Sequence, residues 1–130
     1  MALRIQLVDD NPVFLAAIRQ FIESMPNAEV VALSSDGEQA LQAARELQPD
    51  VVVLDIAMPR KSGLQVATEM MGWENRPKVL MLSSHNNSSY RNAAREAGTA
   101  AFVTKSDFVT QLVPMLEKLA NEAEPGPAPA

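Results

Sequence analysis

Six residues of this chain carry side chains that could do chemistry together: Asp9, Asp10, Asp55, Ser83, Ser84 and Lys105. Each stands at or just past the end of an apolar run, in RIQLVDD, VVVLD, KVLMLSS and AAFVTK. A carboxylate left buried and unpaired is costly, so Asp55 should lie at a rim with a cation near it. Lys105 is the cation the chain offers. One lysine does not balance three carboxylates, and crowded carboxylates raise one another's pKa unless a positive charge intervenes. A hard divalent cation resolves the excess. One or two carboxylates, a carbonyl and waters suit Mg²⁺, and a Mg²⁺ that keeps several waters leaves a place for a phosphoryl oxygen. Each residue also has a plainer reading. The Asp9–Asp10 pair could cap a following helix, and Asp55 could be a turn carboxylate. Ser83 and Ser84 could be turn hydroxyls, and Lys105 a solvated surface lysine. What separates the two readings is whether the residues meet.

Whether they meet depends on the elements that carry them. Apolar runs alternate with helical patterns along the chain. Leu3–Asp9 reads as a strand, and Phe14, Ile18, Phe21, Ile22 and Met25 then mark one helical face, with Asn11 as N-cap and Pro12 at the first helical position. Glu29–Ser34 is a second strand, and Asp36 opens a helix with Ala40, Leu41, Ala44 and Leu47 inward. VVVLD is the third strand, followed by a helix capped by Ser62 and carrying Leu64, Ala67, Met70 and Met71. Lys78–Ser84 is the fourth, and the loop SHNNSS leads to a weaker helix whose inner face is Tyr90, Ala93, Ala94 and Ala97. After Gly98, AAFVTK is the fifth strand. Phe108, Leu112, Val113, Leu116 and Leu119 stripe a last helix, in which Pro114 predicts a kink or a loosely wound first turn.

Five β-α units in succession predict an α/β domain: one doubly wound parallel sheet, order 2-1-3-4-5, with helices on both faces. In such a sheet function gathers outside the carboxyl ends of the strands. All six residues fall there. Residues 1–122 form the expected domain and 123–130, Pro- and Ala-rich, a tail or linker stub. No apolar run approaches the length of a membrane span and no signal-peptide layout opens the chain, so the expectation is a cytoplasmic protein without a membrane partner. Eleven basic against sixteen acidic residues, a formal charge of −5, argue against direct nucleic-acid binding by this chain. Without cysteine there is no thiolate metal site and no cysteine nucleophile.

From about Ile5 to about Leu119 the chain resembles the receiver domain of bacterial two-component response regulators, a flavodoxin-like fold. Four elements match in order: the DD after strand 1, D-x-x-M-P-x-x-x-G from Asp55 to Gly63, a hydroxyl ending strand 4, and a lysine ending strand 5. The resemblance implies that Asp55 is the phosphoacceptor for a histidine kinase or histidine phosphotransfer protein. It implies Asp10, supported by Asp9, Asp55 and the Ala57 carbonyl, as ligands of Mg²⁺ or Mn²⁺. It implies Ser83 as the hydroxyl that bonds a phosphoryl oxygen, Lys105 as the partner of Asp55 and then of phosphate, and Phe102 as an aromatic switch. Output would be a changed surface of helix 4, strand 5 and helix 5, read by an output domain or partner protein, with a homodimer through that face among the expectations. Ala57 and His85 occupy positions that tune phosphate lifetime, although His85 reads equally as an exposed loop histidine.

Three features depart from the common pattern. Ser106 follows the lysine where proline is frequent, Phe102 lacks the tyrosine hydroxyl, which favours a buried ring, and Ala57 and His85 stand at the lifetime positions. The lysine followed by serine, with LMLSSH, is more similar to receivers joined to helix-turn-helix DNA-binding domains. With a Pro/Ala stub after the last helix, the expectation is a free-standing receiver or the front of a longer regulator. Such a protein signals stoichiometrically rather than turning over a metabolite. A Mg²⁺-dependent phosphatase would want D-x-D at Asp55, and residue 57 is alanine. A flavin-binding protein would want a Ser/Thr/Gly-rich loop where DDNPVF stands. A phosphate-independent interaction module is the remaining alternative.

Overall fold

A computed structural model describes residues 2–58 and 60–123. Its strands are β1 (Leu3–Val8), β2 (Ala28–Ser34), β3 (Val51–Asp55), β4 (Lys78–Ser83) and β5 (Ala101–Thr104). Between and after them run α1 (Pro12–Glu23), α2 (Gly37–Leu47), α3 (Gly63–Met71), α4 (Ser88–Glu96) and α5 (Val113–Ala123). The sheet is parallel throughout in the order β2-β1-β3-β4-β5, as the alternation of patterns predicted. α5 takes in Ala123, the first residue of the expected 123–130 tail, and the rest of that tail lies outside the described residues, as does Pro59 of the Asp55–Gly63 motif. No helix among the described residues is long and apolar enough to cross a membrane.

Each face of the sheet has its own core. Leu3, Ile5 and Leu7 of β1 and Val51 and Val53 of β3 cluster with Ile18 and Ile22 of α1 and Leu116 of α5. The alternate residues Val8, Val52 and Leu54 cluster with Ala40 of α2, Met70 of α3 and Ala94 of α4. Covering both faces buries all five residues of β3, which is why VVVLD shows no polar alternation. Helix starts are set by side-chain caps. Asn11 Oδ1 accepts the Val13 and Phe14 N–H groups, and Ser62 and Gln65 form a reciprocal capping box.

Three residues assigned to inner faces by periodicity, Phe21, Leu47 and Tyr90, are exposed. For α4 the reason is composition: SSYRNAARE has little apolar bulk, and the helix is buried against the core through Ala94. The approach to α5 is wound irregularly, as Pro114 predicted. Lys105–Asp107 make a 3₁₀ turn and Phe108–Leu112 a π-helical turn before regular α-helix begins. Proline has no N–H to donate, and its ring crowds the carbonyl four residues earlier, so an α-helix cannot run unbroken through this position.

Candidate functional site

The register of the sheet assembles the site. Val8 pairs with Leu54, so Asp9 and Asp55 come next on adjacent strands. Asp55 pairs with Leu82 and Ser83 with Thr104, which brings Ser83 and Lys105 up in the same row. Asp9, Asp10 and Asp55 each offer a carboxylate oxygen, all within 4.8 Å of one another. Asp9 and Asp55 are 1% and 3% exposed, whereas Asp10 is open to solvent.

Lys105 serves both buried carboxylates. Its Nζ lies 2.6 Å from Asp9 Oδ2 and 3.3 Å from Asp55 Oδ2. The other oxygens are held by the backbone: Asp9 Oδ1 accepts the Asn11 N–H at 2.8 Å, and Asp55 Oδ1 the Ala57 N–H at 3.2 Å. Asp9 is therefore not the cap of α1; Asn11 is. Ser83 is buried, and its Oγ accepts the His85 N–H at 3.2 Å. The His85 side chain is exposed, and the Lys105–Ser106 peptide is trans.

These charges do not balance. Burial first, and the Asp9 carboxylate second, push the Asp55 pKa up to about 6, against the lowering effects of Lys105 and the Ala57 N–H. Burial alone would lower the Lys105 pKa, but its bond to Asp9 and the fields of both carboxylates carry it upward. Negative charge thus exceeds what one ammonium neutralises. Three hard oxygen donors within reach of one another, one of them open to solvent, fit a hard divalent cation. A depression of about 350 Å³ opens over the site, with Asp10, Asp55, Ala57, Ser83, His85 and Lys105 in its wall. Asn11 and Tyr90 also line it, and neither was singled out from sequence as a site residue.

Three further contacts escaped the sequence reading. A Cβ on Gly63 would overlap the Asp55 carbonyl oxygen, so only glycine lets the start of α3 pass against the end of β3. The available signal was a glycine just inside a helix start, where propensity disfavours it. Phe102, 9% exposed, lies in the α2–α4 core with the Arg91 guanidinium 4.8 Å over its ring, a contact across α4 and β5 that periodicity does not reveal. Phe14, near the start of α1, lies under the Lys105 ammonium, 4.8 Å from Nζ to the ring centre.

The model of the response regulator receiver domain family matches residues 5–117. The transcriptional regulatory protein DegU of Brevibacillus brevis is 28% identical over 119 residues, covering 92% of this chain and 50% of its own length. A protein-glutamate methylesterase/protein-glutamine glutaminase of Alkalilimnicola ehrlichii is 36% identical over 107 residues, covering 81% of this chain and 27% of the relative. The chain thus spans about half or less of these curated relatives. Among solved structures, a two-component response regulator of the LuxR family from an Aurantimonas species superposes with a TM-score of 0.85 at 33% identity, covering 94% of this chain and 87% of that one.

Proposed function

The chain belongs to the response regulator receiver domain family, and from that premise we propose that it accepts a phosphoryl group on Asp55 from a histidine kinase or histidine phosphotransfer protein. One observation carries the reading: a buried carboxylate at a strand end shares one ammonium with a second buried carboxylate, beside a third that is open to solvent. In the transfer the P–N bond of the donor phosphohistidine breaks as an Asp55 Oδ–P bond forms, and the departing imidazole takes up a proton. The donor is already reactive, so the carboxylate needs positioning more than activation. The Ala57 N–H orients one oxygen of Asp55, and Lys105 moves from the carboxylates to the phosphoryl oxygens, where the Ser83 hydroxyl is a second donor. Asp10, Asp9, Asp55 and the Ala57 carbonyl would hold Mg²⁺ or Mn²⁺, which when bound neutralises charge on the transferring group.

Release follows by slow hydrolysis, with Ala57 and His85 in the wall of the depression setting its rate. Engagement of Ser83 by the phosphoryl group biases the buried Phe102 ring and hence the surface of α4, β5 and α5, on the usual coupling scale of roughly 1–3 kcal/mol. That surface meets an output domain or partner, or a second copy of the chain. The receiver unit, expected over residues 1–122, takes in Ala123 as the last residue of α5, and the Pro- and Ala-rich remainder acts as a tail or linker stub, in a cytoplasmic signalling protein. The test is intact mass after incubation with acetyl phosphate, with and without Mg²⁺, for wild type and Asp55→Asn. A single phosphoryl adduct that requires both Mg²⁺ and Asp55 is expected. A folded wild type that takes no adduct, where another receiver is labelled, would instead make this a phosphate-independent interaction module.

A further inference from the structure

We propose that Phe14 is a positioning residue for the Lys105 ammonium, its ring forming one wall of the ammonium's site beside Asp9 and Asp55. The inference rests on the phosphoacceptor reading and adds a residue to it. An ammonium has three N–H donors. Lys105 has two carboxylates within ion-pair distance, and its side chain is only 15% exposed. Water therefore has little access to what remains of the ammonium. The Phe14 ring lies there, its centre 4.8 Å from Nζ, within the range in which the negative face of an aromatic ring attracts a cation.

The ring is itself fixed from two directions. Phe14 is the third residue of α1, and its N–H is bound by the Asn11 cap, which the Asp9 carboxylate holds in turn through the Asn11 N–H. Phe14 is also met edge-on by Phe108, with centroids 5.4 Å apart and planes at 80°. Phe108 belongs to the turn that carries the lysine: its N–H donates to the Lys105 carbonyl, closing the 3₁₀ turn. Residues three apart in such a turn lie on one side. The backbone that sets the origin of the lysine side chain therefore also carries the ring that braces its aromatic contact.

A plain apolar residue at position 14 could fill this space but could not attract the ammonium. The ring gives the lysine a third favourable neighbour when it leaves one carboxylate for an incoming phosphoryl group, and keeps it in the plane of the site rather than in water. Because the attraction is to a π face, tyrosine should replace phenylalanine and leucine should not.

The experiment compares wild type, Phe14→Leu, Phe14→Tyr and Phe21→Leu. Phe21 also meets Phe108 edge-on but is not over the lysine, so its variant reports loss of aromatic packing alone. Two quantities are read: the initial rate of adduct formation from acetyl phosphate at saturating Mg²⁺, and the proton shifts of the Lys105 ε-methylene by NMR. In wild type the methylene should be shifted upfield by the ring. Phe14→Leu should abolish that shift and slow adduct formation about fivefold, while Phe14→Tyr keeps both near wild type and Phe21→Leu leaves the rate unchanged. Equal rates for wild type and Phe14→Leu would overturn the proposal. So would a Phe14→Tyr as slow as Phe14→Leu, or a wild-type methylene without a ring shift. A wild type that shows the shift but takes no phosphoryl group would sink the acceptor reading instead, with the aromatic contact itself intact.

Discussion

Asp55 carries a conflict at the scale of a single residue. Its carboxyl pKa lies at about 6 rather than 3.8 because it is buried beside Asp9, and Lys105 offsets only part of that. A carboxyl whose folded pKa exceeds its unfolded value contributes stability at low pH, and that contribution is lost as pH rises from about 4 through 6. Above that window the ionised form costs on the order of 1–3 kcal/mol. Asparagine stays neutral in nearly the same shape. Asp55→Asn should therefore be more stable than wild type at pH 7.5 in the absence of divalent ions, by up to about 3 kcal/mol, with the gain fading toward pH 4. Thermal melts across that range check it; a variant less stable than wild type at pH 7.5 would show that the Lys105 contacts outweigh burial.

At the scale of elements, the site depends on how closely β3 and α3 approach. The helix start carries a capping box and a glycine whose Cα faces the Asp55 backbone. Gly63→Ala forces a methyl group against the Asp55 carbonyl and must push the two elements apart. The expected cost is about 1–3 kcal/mol of stability by urea unfolding, together with loss of most adduct formation, since Asp55 moves with its strand. Alanine has the better helix propensity, so a variant that folds as stably as wild type and still forms the adduct would refute the steric reading. The entry into α5 follows similar logic. Pro114 excludes a regular helix through the preceding turn, where a π turn stands instead, and the 3₁₀ turn ahead of it brings Lys105 to the site with Phe108 against Phe14.

For the whole molecule, the acidic edge should make stability depend on divalent ions. Three carboxylates within 4.8 Å with one shared ammonium repel one another in the folded state and much less in the unfolded chain. Mg²⁺ bound there would stabilise the fold by mass action, by about 1.4 kcal/mol at ten times Kd, or about 3–6 °C in Tm for a domain of this size. EDTA should remove the gain, and Asp10→Asn should weaken it. A melting temperature indifferent to Mg²⁺ in wild type would show that the carboxylates do not act together as a cation site.

The alternation of strand and helix was legible in the residues alone, because burial on both sheet faces leaves unbroken aliphatic runs such as VVVLD, and polar caps such as Asn11 and Ser62 mark where helices begin. So were the residues that reach the carboxyl edge, since Asp9, Asp55, Ser83 and Lys105 all follow apolar runs. Proline chemistry alone foretold the irregular start of α5. How the charges are shared emerges with the packed fold: Lys105 sits nearer to Asp9 than to Asp55, a matter of strand register and side-chain reach. The packing of one element on another likewise sets the contacts of Gly63, Arg91 and Phe14, each made to a different element of the fold. Hydrophobic periodicity reports which side of an element is buried. It does not report which neighbour lies there, and for these residues the neighbour sets the chemistry.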